Sequence, residues 1–205
     1  SRSVASASRI LEVLEEEPDI VDPANAVMEV KDGEIEFRNV NFKYEDDSEE
    51  NNLENINIKI KAGETVGIIG STGSGKTSLV QLIPRLYDAT NGEVFVGGRN
   101  VKEYNIEALR NSVAMVLQKN TLFSGTIAEN LRWGNAEATE AQIEAAASSS
   151  CVDEFIDRLP GRYDMHIEQG GVNVSGGQKQ RLCIARAILK EPKVIILDDS
   201  TSAVD

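Results

Sequence analysis

Apolar residues recur along this chain with two different periods. Val4, Ala7, Ile10, Leu11 and Leu14 fall three or four apart, which predicts a helix over residues 1–14 with one apolar face. Glu15-Glu16-Glu17-Pro18 stops that helix, and Pro23 continues an irregular connector. Near Gly33 the period falls to two. Ile35, Phe37 and Val40 alternate with Glu36, Arg38 and Asn39, and Leu53, Ile56, Ile58 and Ile60 repeat the pattern, giving two half-exposed strands. Residues 45–52 are acidic and polar with no apolar anchor, so they read as a solvated loop. Residues 65–69 and Val194–Leu197 are continuous apolar runs of the kind that suits buried central strands. Between them the pattern predicts a helix over 76–86, strands over 93–96 and 113–117, and helices over 127–133, 140–149 and 152–158. A final helix is predicted over 178–189. Strands interleaved with helices, with a block of helices between two strand regions, predict an α/β core carrying a helical subdomain.

Composition narrows the class. The chain has 205 residues and 40% hydrophobic content, enough for one domain with a real core. Aromatics are few, so Ile, Leu, Val and Ala must fill that core. A formal net charge of -13 argues against a nucleic-acid partner gripped by a broad basic face. The two cysteines suggest a reducing compartment and no disulfide framework, and Cys183, among Leu182, Ile184 and Ala185, reads as a small core residue. No run of about 18 apolar residues occurs and no signal peptide is visible, so membrane work is expected to fall to other segments.

Three motifs carry chemistry. Gly70-Ser71-Thr72-Gly73-Ser74-Gly75-Lys76-Thr77 matches the phosphate-binding pattern GxxxxGK[ST], with an apolar strand before it and a helix after it. The glycines free the backbone to wrap phosphate oxygens, Lys76 reaches the β- and γ-phosphates, and the Thr77 hydroxyl is a magnesium ligand. Ser175-Gly176-Gly177-Gln178 stands before a helix-forming run, where a serine N-cap and two glycines let an anion approach unpaired helix amides. Val194-Ile195-Ile196-Leu197 delivers Asp198 and Asp199 at the carboxyl end of a buried strand, the side on which α/β sheets place their sites.

In this order these motifs resemble those of the ATP-binding cassette (ABC) family, over essentially the whole chain. The resemblance implies a P-loop NTPase core with an antiparallel β subdomain and an inserted helical subdomain over about 119–175. It implies ATP and Mg2+ as ligands, held by 70–78, with Ser71, Thr72, Ser74 and Ser78 lining the phosphates beside the glycines. Asp198 would hold magnesium, and Gln118, after Val113-Ala114-Met115-Val116-Leu117, would reach the metal while linking core to helical subdomain. Tyr44 matches the aromatic that stacks on adenine. Ser175, Gly176, Gly177 and Gln178 would bind the γ-phosphate of ATP held by a second cassette, towards which residues 200–205 (Ser-Thr-Ser-Ala-Val-Asp) would cross.

Two departures matter. Where the family carries a glutamate as general base, this chain has Asp199, whose carboxylate retracts by about 1.5 Å, one carbon–carbon bond. A base must sit within roughly 2.6–3.2 Å of its proton donor. Ile167-Glu168-Gln169-Gly170-Gly171 departs from the VGExG of exporters, whereas Val174, in place of a leucine, is an apolar-for-apolar swap that should leave the anion site intact. Together with Asp199, Glu168 and Gln169 resemble the degenerate half of a heterodimeric exporter, and Ser8-Arg9-Ile10-Leu11-Glu12-Val13-Leu14 resembles the helix by which exporters join a membrane domain to the cassette. Residues 1–32 are then a linker helix and connector from a membrane domain, and 33–205 are the nucleotide-binding domain, truncated at the C-terminus. His166 precedes the signature and is expected on an exposed loop, not as the family's switch histidine. The expected function is an ATP-binding and ATP-hydrolysing motor on the cytoplasmic side of a membrane, partnered by a second nucleotide-binding domain and a transmembrane domain, with no nucleic acid. Two alternatives are a nucleotide-binding regulatory half with little hydrolysis, which Asp199 favours, and a soluble ABC ATPase of DNA maintenance. A compact helical block in place of long coiled coils argues against the latter.

Overall fold

The computed structural model describes residues 2–44 and 50–198. Helix α1 spans Arg2–Leu14, as its apolar spacing predicts, with Ile10, Leu11, Val13 and Leu14 exposed. The connector after it is fastened to the core. Asp22 accepts from the Asn105 side chain at 2.5 Å and from the Ile106 amide at 2.7 Å, Val27 bridges Tyr104, and Val30 is buried.

One core cluster forms under an antiparallel sheet. Strands β1 (Ile35–Phe42), β2 (Leu53–Ile60), β3 (Asn91–Val96) and β4 (Arg99–Asn100) lie in the order β2-β1-β3-β4. Strand β1 shifts register between Phe37 and Val40, and Asn39 and Asn55 both take left-handed backbone there. Asparagine tolerates that conformation, and each amide bonds a neighbouring Asn side chain: Asn39 N donates to Asn57 Oδ1 and Asn55 N to Asn41 Oδ1. The inward residues Phe37, Val40, Phe42, Val94 and Val96 share their core with Leu79, Leu82 and Ile83, from helix α2 (Lys76–Gln81) and the turns after it. Helix α2 ends at Gln81 and does not run on to residue 86. Pro84 lacks an amide, the chain after Gln81 closes turns through Ile83 N to Val80 O at 3.3 Å and Arg85 N to Leu82 O at 3.2 Å, and Arg85 takes a φ of 52°.

Helix α3 (Ile106–Ser112) feeds strand β5 (Val113–Val116), which pairs in parallel with strand β8 (Val194–Leu197) from Val113↔Val194 to Val116↔Leu197. The helical block inserts between them: β6 (Gly125–Thr126), α4 (Ile127–Arg132), α5 (Glu140–Ser149), α6 (Asp153–Ile156), β7 (His166–Ile167) and α7 (Gly176–Leu189). Helices α4, α5 and α7 each start with a reciprocal capping box, Thr126 with Glu129, Thr139 with Gln142 and Ser175 with Gln178. The second core cluster joins Ile127, Leu131, Ile143, Ile156 and Ile167 to Leu182, Ala185 and Leu189 of α7. Fully enclosing a side chain such as Leu131 or Leu182 stabilises by about 1.5–3 kcal/mol. Helix α6 is shorter than the 152–158 predicted, and the remainder of that segment is turn.

Residues 65–69 depart from expectation. They form no strand, and Val66, Ile68 and Ile69 are exposed, Ile69 at 98%. A continuous apolar run is buried on both faces only when ladder neighbours flank it. Among the described residues none pairs with this segment. It faces instead a cleft of about 740 Å3 whose lining also includes Val194, Ile195, Ile196, Leu197 and Asp198.

Candidate functional site

The glycine-rich loop 70–75 opens onto that cleft. Gly75 is the N-cap of α2, with a φ of 83°, and a methyl group there would lie 2.8 Å from Leu53 Cδ2 and 2.9 Å from Asn52 O. Glycine is therefore demanded twice, by conformation and by space. Gly73 is also left-handed, with a φ of 82°. No side chain caps α2. Lys76 folds back over the loop, its Nζ donating to Gly70 O at 2.8 Å, Ser71 O at 2.9 Å and Ser74 Oγ at 3.5 Å. Its charge is held by neutral oxygens at the mouth of the loop, without a carboxylate partner among the described ion pairs.

Thr77 and Asp198 lie 121 residues apart in sequence, yet Thr77 Oγ1 donates to Asp198 Oδ2 at 2.9 Å. The parallel ladder makes this possible. Asp198 N donates to Val116 O at 2.9 Å, extending the β5–β8 register by one residue and fixing where the carboxylate leaves the sheet. Gln118, just past β5, lines the same cleft. The structure thus brings together Ser71's loop, Lys76, Thr77, Gln118 and Asp198. Two hard oxygens in contact, beside a cleft with room for more, are a donor set that fits a small divalent cation with waters and phosphate oxygens completing its shell.

Tyr44 stands off this cleft and is 47% exposed. Its hydroxyl lies 2.8 Å from Ser78 Oγ and donates to Gln81 Oε1 at 3.2 Å, and its ring meets Phe42 and Tyr87 edge-on. Sequence reasoning missed Gln81. Its three-residue spacing from Ser78 on α2 is the signal that marks a shared face.

The structure does not bring Ser175, Gly176, Gly177 or Gln178 to the cleft. They form the N-terminus of α7 elsewhere: Ser175 Oγ accepts from Gln178 N at 3.2 Å, and Gln178 Oε1 accepts from Ser175 N at 3.0 Å. A methyl group on Gly176 would meet nothing within 4 Å. Just upstream, Gly170 O accepts from Lys179 Nζ at 2.7 Å, so the segment 168–171 is tied to the same helix. His166 is exposed as expected, but it belongs to β7, opposite Thr126, with Nε2 at 3.3 Å from Ser124 Oγ. Cys183 is buried, and burial pushes its thiol pKa up, in line with a core role. Both cysteines are free. Asp199 and residues 200–205 lie outside the described residues.

Known proteins match this architecture. The ABC transporter family model matches residues 53–202. The chain is 44% identical over 207 residues to YgaD of Bacillus subtilis (strain 168), described as a candidate multidrug export ATP-binding/permease protein, covering all of this chain and 35% of that protein. It is 42% identical to ABC transporter B family member 2 of Dictyostelium discoideum, over 98% of this chain and 14% of that one. A bacterial Atm1-family ABC exporter with ATP bound superposes with a TM-score of 0.92 at 30% identity, over the whole of this chain and 36% of its own. The chain therefore spans about a third or less of the length of these relatives. On a family match covering most of its length, this chain belongs to the ABC transporter family.

Proposed function

We propose that this chain is the nucleotide-binding cassette of an export transporter, which binds Mg-ATP on residues 70–78 and hydrolyses it when paired head-to-tail with a second cassette. The convergence of Lys76, Thr77, Gln118 and Asp198 on one cleft carries the reading. Lys76 exchanges its three loop oxygens for β- and γ-phosphate oxygens, so its charge is already poised at the loop mouth. Thr77 and Asp198 hold Mg2+, directly or through water, and Gln118 reaches it from the end of β5. The ion, when bound, neutralises charge developing on the transferred phosphoryl group. Tyr44 stacks on the adenine. Gly70, Ser71, Thr72, Gly73, Ser74, Gly75 and Ser78 surround the phosphates, and Ser175, Gly176, Gly177 and Gln178 complete the partner's nucleotide site.

The exporter names of the relatives support a transmembrane domain as the second partner and the cytoplasmic side of a membrane as the location. The net charge of -13 fits no nucleic-acid role. Titration with a fluorescent ATP analogue in Mg2+ and in EDTA tests the reading. Tight binding that depends on the metal, with the dependence lost in Asp198→Ala, is the expected result. Failure of the wild-type chain to bind refutes it.

Asp199 favours a second reading, in which this cassette holds nucleotide while its partner turns over. A positioned base supplies about 10²–10⁴-fold in rate, and a retracted one forfeits part of that factor. Single-turnover hydrolysis at this site in the native pair separates the two. Slow turnover that Asp199→Glu accelerates supports the holding role, whereas fast turnover abolished by Asp199→Asn makes Asp199 a working base.

A further inference from the structure

Tyr44 lies beyond the last ladder partner of β1, Phe42↔Leu53, so no strand pairing fixes its place. Side chains fix it instead. Phe42 meets the ring with centroids 4.8 Å apart and planes at 78°, and Tyr87 meets it at 5.1 Å and 88°. The hydroxyl makes the third restraint. A phenol has one proton, and Tyr44 donates it to Gln81 Oε1 at 3.2 Å, so the 2.8 Å bond runs from the Ser78 hydroxyl to the Tyr44 oxygen. Ser78 and Gln81 are the third and sixth residues of α2, three apart and on one face. The same short helix carries Lys76 and Thr77 at its start.

We propose that Gln81, together with Ser78, is a positioning residue for nucleotide binding: through the Tyr44 hydroxyl it fixes the aromatic ring relative to the phosphate-binding loop. This rests on the nucleotide reading above. One helix then sets both ends of the grip, the ammonium and hydroxyl for the phosphates and the ring for the base. A ring held at three points loses little freedom on stacking, and preorganisation of that kind raises affinity by removing an ordering cost. Gln81 reaches the base only through Tyr44, so its influence is confined to ligands that have a base.

That restriction is the test. Kd is measured on the chain for Mg-ATP and for inorganic magnesium triphosphate, which has no base to stack. Gln81→Leu keeps a good helix former but loses the acceptor. It is expected to raise the Kd for ATP about threefold, the range of one neutral hydrogen bond, and to leave triphosphate unchanged. Gln81→Glu restores the acceptor oxygen and wild-type ATP affinity. Tyr44→Phe, which keeps the ring and loses the hydroxyl's bonds to both Ser78 and Gln81, shows a loss at least as large as Gln81→Leu, again for ATP alone, and in a Tyr44→Ala background Gln81→Leu adds nothing. Equal weakening of ATP and triphosphate by Gln81→Leu overturns the proposal, as does an undiminished Gln81 effect in Tyr44→Ala. If Tyr44→Ala weakens ATP while Gln81→Leu and Tyr44→Phe do not, the tether fails and the stacking stands. If Tyr44→Ala leaves ATP affinity unchanged, the stacking fails and the tether with it.

Discussion

Helices α2 and α7 both start at glycines, Gly75 before the first and Gly176 within the second, and they are built on opposite plans. Helix α2 has six residues, no side-chain cap and a left-handed Gly75 wedged against Leu53 and the Asn52 carbonyl. Helix α7 has 14 residues, a complete capping box and, in Gly176, a glycine with open space where a side chain would go. At α2 the chain itself brings a cation, a hydroxyl and a carboxylate to one cleft: Lys76, Thr77 and Asp198. At α7 the described residues form a capped helix end, with open space around the Cβ position of Gly176. The lesson is that a glycine's reason need not lie within its own fold. Gly75 answers to the fold that contains it, whereas among the described residues none demands a glycine at 176, and the proposed partner cassette would supply the reason.

The strongest blow to this contrast falls on the complete site. Lys76→Ala removes the ammonium at the loop mouth and leaves phosphate charge unpaired. Mg-ATP affinity is expected to drop by about 1.5–3 kcal/mol, tenfold or more, in a calorimetric titration. Unchanged affinity sinks the assignment of the loop. Gly75→Ala comes next and acts on the fold. A left-handed φ with a crowded Cβ should destabilise by roughly 1–3 kcal/mol in urea unfolding. A wild-type midpoint would mean that the loop can relax around a methyl group. Ser175→Ala removes one half of the α7 capping box, an expected loss of about 1 kcal/mol of stability. Its own loop should still bind Mg-ATP with wild-type affinity, because Ser175 lies off the cleft. A parallel loss of binding would place α7 at the chain's own site.

Those outcomes mirror what sequence can and cannot carry. The loop 70–77 and the Ser175–Gln178 box are contiguous, so their residue types alone disclose their geometry. Thr77 and Asp198 meet across 121 residues, and the resemblance to the ABC family is what assigns both to one magnesium ion, since no local pattern joins them. The segment 65–69 was not. Its hydrophobicity states a preference for burial but is silent on whether ladder partners flank it, and here Ile69 is left in solvent. The length of α2 was misjudged because an apolar run continues through Leu82 and Ile83, whereas Pro84 decides the backbone. Gln81 was invisible for a different reason. A half-buried glutamine on a short helix has no special type, and its partner Tyr44 sits 37 residues upstream. Distance in sequence is no obstacle when both ends carry a motif; it hides a contact when one of them, here Gln81, carries none.

The smallest expected effect discriminates most sharply. Gly176 lies in the first turn of α7 without a left-handed φ, and its Cβ would touch nothing. Within the chain, alanine there should be harmless or slightly favourable, because glycine costs a helix up to about 0.5–1 kcal/mol relative to alanine, and less at its first position. Gly176→Ala is therefore expected to raise the urea midpoint slightly and to leave Mg-ATP affinity unchanged. The same methyl group should obstruct an anion brought to the α7 amides by a second cassette, since close backbone approach is what a bare Cα permits. ATP-driven pairing with the partner cassette, followed by sedimentation, should fall even as the chain grows more stable. A gain in stability with undiminished pairing leaves Gly176 without an outside reason and ends the contrast between the two helix starts. A loss of stability would show instead that the space around Gly176 is filled in solution.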